Sequence, residues 1–225
     1  KIFMGFAFFS LAFAQNLFSD NKIELGDAKM AEARSKVLKE ASDHLSIATN
    51  FSAIGLAFAT ADTITEQMRK DYNESIQGLS EIDLTLGSRA FEEAIVKTAE
   101  KLWINARDLD AHVRRFIINA MKGGPVENYD ALMIEGRIKV LSYTSRFLKH
   151  ALEYVEFMRT LPPFYESTEA QRRQFKDLRY QRRHIEISLI HAAEKFAVNK
   201  VAAELGIDKG LLKEHLVQFF WQYKH

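Results

Sequence analysis

The chain contains no cysteine among its 225 residues. This absence excludes disulfide bonds, thiolate catalysis, cysteine-ligated zinc and iron–sulfur clusters, although it does not fix the cellular compartment. The chain also lacks an excess of charge of either sign, because its formal net charge is only +1. A nucleic-acid-binding surface would therefore have to be a local basic patch rather than a property of the whole molecule.

Proline and glycine are scarce, with 3 and 10 residues, so long uninterrupted elements are expected. The strong helix breakers are Gly87-Ser88, Gly123-Gly124-Pro125 and Pro162-Pro163. Between them, residues 89–122 and 129–160 carry apolar side chains at spacings of three and four, which predicts one helix in each segment. We therefore expect an all-α fold of long antiparallel helices in an up-and-down bundle.

Two capping-box patterns mark further helix starts. Asn21-x-x-Glu24 and Thr168-x-x-Gln171 each pair a side chain that caps a helix with one that reaches back to the capping residue. The second pattern predicts a helix that continues to about Phe196.

The N-terminal segment Ile2–Ala14 is almost entirely apolar. It follows Lys1 and ends in Ala12-Phe13-Ala14, and this combination resembles a secretory signal peptide. The segment is too short for a transmembrane helix, which needs about 20 residues. The alternatives are a helix buried in the core or docked on a partner, and an anchor at a membrane surface.

Near the C-terminus the sequence predicts two helices joined by a tight turn. We expect Gly206 to adopt the left-handed conformation that ends the first helix, and Asp208 to cap the second. Leu212 and Leu216, four residues apart, would then face the core. Such a pattern is typical of a helix-turn-helix motif and also of an ordinary corner in an all-α protein.

Residues 184–219 resemble the C-terminal DNA-binding segment of the Fis family, which is also found at the ends of NtrC-type activators. The resemblance implies that Asp208–Leu216 is the recognition helix. It further implies that Lys209, Lys213 and His215 face the DNA groove.

A basic segment precedes this motif. Its candidate DNA contacts are Arg172, Arg173, Lys176, Arg179 and Arg183. All except Arg173 fall on one face at helical spacing, and cations on a helix face are suited to phosphate contact. The alternative is a solvated face, or one paired with acidic side chains elsewhere.

The sequence contains no phosphate-binding glycine loop, nucleophile elbow or HExxH motif. The spacings His150-x-x-Glu153 and His191-x-x-Glu194 reverse the order used by di-iron bundles, so we expect no metal, no cofactor and no enzymatic activity.

Two functional hypotheses follow. In the first, residues 1–165 form a helical body and residues 166–225 bind duplex DNA, as in a cytoplasmic regulator that forms homo-oligomers. In the second, the chain is an exported or membrane-associated assembly protein that binds a protein partner and contacts the membrane through Ile2–Ala14.

Overall fold

A computed structural model describes residues 28–123 and 130–224, and within these ranges it contains helices and no strand. The helices are α1 (Ala28–Thr60), α2 (Glu66–Gln77), α3 (Glu81–Leu102), α4 (Ala106–Lys122), α5 (Ala131–Arg159), α6 (Glu169–Tyr180), α7 (His184–Leu205) and α8 (Lys209–Trp221), with a 3₁₀ turn at Phe164–Glu166. The prediction of an all-α helical bundle is confirmed.

The four long helices α1, α3, α5 and α7 form the bundle, and each contacts the other three. Helix α1 runs antiparallel to α5, because Ser42 lies beside Glu156 whereas Gly55, farther along α1, lies against the earlier residue Leu141. Helix α1 is also antiparallel to α7.

The pairing of α1 with α7 is fixed by two contacts. Glu40 accepts a hydrogen bond from Lys200, and the His44 ring meets the Phe196 ring edge-on at 4.9 Å. Because Glu40 lies beside Lys200 and His44, farther along α1, lies beside the earlier residue Phe196, the two helices run in opposite directions.

Alanines allow the long helices to approach closely. Ala33 and Ala41 of α1, Ala90 and Ala94 of α3 and Ala193 of α7 are fully buried. The larger side chains Phe58, Phe147 and Phe175 fill the remaining interior. This core extends on both sides of residue 165, because α7 is one of the four bundle helices. The predicted boundary at residue 165 therefore does not separate two cores.

The predicted break at Gly87-Ser88 is wrong. Gly87 lies inside α3, where a Cβ would meet no atom within 4 Å, so the glycine does not serve close packing. The breaks fall instead on both sides of α3. Helix α2 ends at Gln77 and Ser80 caps α3, while Trp103, whose φ of 56° is left-handed, ends α3 and Asn105 caps α4. Residues 89–122 are consequently two helices rather than one.

The capping box at Thr168 and Gln171 is confirmed at the start of α6. The helix that this capping box starts ends at Tyr180 rather than near Phe196, and a separate helix, α7, begins at His184. Gly123 ends α4 with a φ of 70°. The predictions for Ile2–Ala14, Asn21-x-x-Glu24 and Gly124-Pro125 lie outside the described residues.

Candidate anion-binding surface

The turn between α7 and α8 has the local geometry that the sequence predicts. Gly206 ends α7 with a φ of 60°, and the Asp208 carboxylate accepts a hydrogen bond from the Leu211 N–H at 3.0 Å. Helix α8 is packed on α1 and α7. Its buried residues are Leu212, His215, Leu216, Phe219 and Phe220.

His215 cannot contact DNA in this arrangement, so its predicted role is wrong. The side chain is fully buried, and its Nε2 lies 3.2 Å from a guanidinium nitrogen of Arg34. The same guanidinium lies 3.7 Å from the centroid of the Phe219 ring. Lys209 and Lys213 of α8 are exposed.

The basic residues at the start of α6 are engaged within the protein. Arg172 is half-buried, donates a hydrogen bond to the Ser167 carbonyl at 2.8 Å and lies over the Phe164 ring. Arg173 forms an exposed salt bridge with Glu169. These contacts position the N-terminal end of α6 against the body.

Lys176 is half-buried, whereas Arg179 and Arg183 are exposed. Arg183 immediately precedes α7 and Lys209 follows its C-terminal end, so the 22 residues of that helix separate them. At the rise of an α-helix this separation is about 33 Å. The structure therefore brings Arg183 to a different end of the bundle from Lys209 and Lys213.

A cluster of cations surrounds Tyr143 near the start of α7. The Lys101 ammonium donates a hydrogen bond to the Tyr143 hydroxyl at 2.7 Å. The Lys97 ammonium and the Arg146 guanidinium lie 4.8 Å and 4.6 Å from the centroid of the Tyr143 ring. Arg183 is close enough to Lys97 for charge repulsion between them. We name these five residues the Tyr143 cluster.

Like charges repel one another in the Tyr143 cluster. Burial lowers the pKa of Lys97, and repulsion from Arg183, Arg146 and Lys101 lowers it further, while Tyr143 acts in the opposite direction. The hydrogen bond from Lys101 also lowers the pKa of the Tyr143 hydroxyl. Three separate elements, α3, α5 and the segment before α7, thus direct positive charge to one place.

The cations of this cluster have no acidic partner within the described ranges, since Lys97, Lys101, Arg146 and Arg183 take part in none of the salt bridges there. Some basic side chains on the surface are instead paired along their own helix, as Lys36 is with Glu32. The cluster therefore keeps its positive charge available to an external anion.

Sequence reasoning identified Arg183 and missed the rest of the cluster. Lys97 and Lys101 are four residues apart on α3, and Tyr143 and Arg146 are three apart on α5, which places each pair on one helix face. Neither pair stands out among the 31 lysines and arginines of the chain, and only the packing of α3 against α5 brings the two pairs together.

In the part of the chain that the structure describes, no group of three histidine, aspartate or glutamate side chains could hold a metal ion. Across the same residues, no helix combines the length and apolar character needed to cross a membrane.

Comparisons with models of protein families, with curated proteins and with solved structures gave no match to this chain.

Proposed function

We propose that the protein is a non-enzymatic binder of duplex DNA that contacts the phosphate backbone through the Tyr143 cluster. The observation that carries this proposal is the convergence of Lys97, Lys101 and Arg146 on one tyrosine, with Arg183 near enough to Lys97 to repel it, and none of these four cations forms a salt bridge with a described residue. Phosphate groups supply the compensating charge, and guanidinium groups bind them with two parallel hydrogen bonds.

The geometry favours backbone contact over base reading. The cations come from two helices and a turn that are fixed in the bundle, so none of these helices projects into a groove. Contacts of this kind position a protein on DNA without selecting a sequence. Arg179, exposed on α6 four residues before Arg183, adds a further cation near the turn that leads to α7.

The proposal shifts the binding surface away from the helix-turn-helix segment. With His215 buried, α8 offers Lys209 and Lys213 as its exposed basic residues, and Leu211 and Val217 are exposed apolar neighbours. The Tyr143 cluster has more cations and lies at the other end of α7.

Fluorescence anisotropy with a labelled 20-base-pair duplex at about 50 mM salt tests this proposal. The double variant Arg146→Gln/Arg183→Gln should bind at least about tenfold more weakly, since each charged contact contributes on the order of 1 kcal/mol. The slope of log affinity against log salt should also become shallower by about 0.9 for each phosphate that the variant no longer neutralises.

Two matched variants serve as controls. Lys36→Gln/Lys70→Gln removes the same amount of charge from two lysines that form surface salt bridges. Its affinity for the duplex should stay within about twofold of the wild-type value. Lys209→Gln/Lys213→Gln tests the helix-turn-helix segment and should behave like this control. Failure of the wild type to bind the duplex, or loss of binding only in the Lys209/Lys213 variant, would overturn the proposal.

A further inference from the structure

An open groove runs between α3 and α7, beyond the Tyr143 cluster. Its volume is about 650 Å³, within the range of small-molecule sites. Helix α3 contributes Arg89 to its lining, and α7 contributes His184, His191, Lys195 and Phe196, among others.

The lining of this groove is positively charged without a compensating acid. Arg89 lies on one wall and Lys195 on the other, and neither forms a salt bridge with a described residue. His184 and His191 add two imidazoles, and no aspartate or glutamate lines the groove. The acids three and four residues after Arg89 on α3 are Glu92 and Glu93, and both lie outside the lining.

Polar and apolar groups complete the lining. The hydroxyl of Ser188 and the amide of Asn199 supply hydrogen-bond donors that suit phosphate oxygens, whereas the Thr85 hydroxyl already donates to the Glu81 carbonyl. Phe196 leaves 37% of its surface exposed in the groove, and its ring is held in place by the edge contact with His44. An aromatic surface of this kind stacks with a flat ligand.

We infer that this groove binds a small phosphorylated aromatic ligand of the nucleotide class. The phosphate contacts Arg89 and Lys195, and the flat ring rests on Phe196. The site is separate from the Tyr143 cluster, because it shares no residue with it: its cations are Arg89 of α3 and Lys195 of α7. It goes beyond DNA binding and does not depend on it.

Isothermal titration of the full chain with adenosine 5′-monophosphate tests the inference. We expect saturable one-to-one binding with a Kd below about 1 mM. Adenosine and inorganic phosphate should each bind at least about tenfold more weakly, because each lacks one half of the recognised chemistry.

Variants locate the binding site. Arg89→Gln/Lys195→Gln should weaken nucleotide binding at least about tenfold, and Phe196→Leu should weaken it by less while preserving phosphate binding. Arg146→Gln/Arg183→Gln should retain nucleotide binding, which separates this site from the DNA surface. Circular dichroism of each variant establishes that the fold is intact.

Absence of saturable binding at about 10 mM nucleotide would overturn the inference. Equal affinity of the wild type and Arg89→Gln/Lys195→Gln would do the same. Loss of nucleotide binding in Arg146→Gln/Arg183→Gln alone would assign the nucleotide to the Tyr143 cluster and refute the groove.

Discussion

His44 Nδ1 lies 2.7 Å from Asp83 Oδ1, and this buried contact joins α1 to α3. Asp83 is 2% exposed, and its second carboxylate oxygen accepts hydrogen bonds from the backbone N–H and the hydroxyl of Ser80. The side chain therefore both caps α3 and ties it to α1, whose His44 also packs against Phe196 of α7.

Replacing Asp83 should destabilise the bundle. Asp83→Ala removes the capping box of α3 and leaves the buried His44 imidazole without its partner on that helix, with an expected loss of about 2–4 kcal/mol in the free energy of unfolding. Urea denaturation followed by circular dichroism measures it. Glu81→Ala, in the same first turn but exposed, should stay within about 0.5 kcal/mol of the wild type. Similar losses for the two variants would contradict the role assigned to Asp83.

A glycine that the sequence marks as a breaker gives a second prediction. Gly87 lies within α3 and a Cβ there would meet no atom within 4 Å. Gly87→Ala should therefore raise the free energy of unfolding by about 0.5–1 kcal/mol, because alanine loses less backbone entropy in a helix. Gly136→Ala is the contrasting variant. Its new Cβ would lie 2.8 Å from the Leu109 side chain, and this steric clash would offset the gain in helix propensity. A destabilised Gly87→Ala would show that the position carries a constraint other than helix propensity.

The left-handed turns make a third prediction. Trp103 has a φ of 56° and is 95% exposed, so its side chain contributes little packing while its backbone is strained. Trp103→Gly should stabilise the protein by about 1 kcal/mol, and Gly206→Ala should destabilise it by a similar amount. Thermal unfolding of both variants checks the opposite signs. A destabilised Trp103→Gly would mean that the indole makes a contact that its exposure conceals.

Local signals allowed part of this structure to be predicted. The periodicity of 129–160, the capping box at Thr168 and the left-handed Gly206 depend on neighbours in sequence, and each was found as expected. At the break after α3 no glycine or proline marks the corner, and the tryptophan itself takes the left-handed conformation. The local signal there is Asn105, which caps α4.

The candidate site required tertiary structure. Helical spacing already places His215 on the buried face of α8, three residues after Leu212 and four before Phe219, but its contact with Arg34 depends on the approach of α1. In the same way, Lys97 and Arg146 become one cluster only through the packing of α3 against α5. Helical spacing groups basic residues along a single helix, and it cannot show which cations from different helices lie close together.

Acid should destabilise the protein through His112. The side chain is 2% exposed, and burial followed by repulsion from Arg137 and Arg115 lowers its pKa below the ordinary value of 6.5. Around and below pH 6.5 the unfolded chain binds a proton at this position more readily than the folded chain does. The free energy of unfolding is therefore retained above pH 6.5 and falls as the pH decreases below it. His112→Gln should show a shallower decline in the free energy of unfolding between pH 7.5 and 5.0. The exposed replacement His184→Gln should keep the wild-type slope, and an unchanged slope in His112→Gln would contradict the assignment.

Glu194 should act with the opposite pH dependence. Burial raises its pKa to about 7, and the nearby Lys224 ammonium only partly offsets this effect. The folded state therefore holds a proton that the unfolded chain releases above about pH 4.3, so the contribution of Glu194 to stability is complete below that pH and is lost as the pH rises towards 7. Glu194→Gln keeps the shape and removes the titration.

The variant should consequently be more stable than the wild type by on the order of 1–3 kcal/mol at pH 8 and nearly equal to it at pH 4.5. Urea unfolding at the two pH values measures the difference, and Glu204→Gln, at an exposed position on the same helix, is the matched control. A gain of equal size at both pH values would attribute the effect to packing of the amide rather than to release of a proton. A loss at pH 8 would show instead that the ionised carboxylate is stabilised by Lys224, and that attraction to the ammonium outweighs the burial of Glu194.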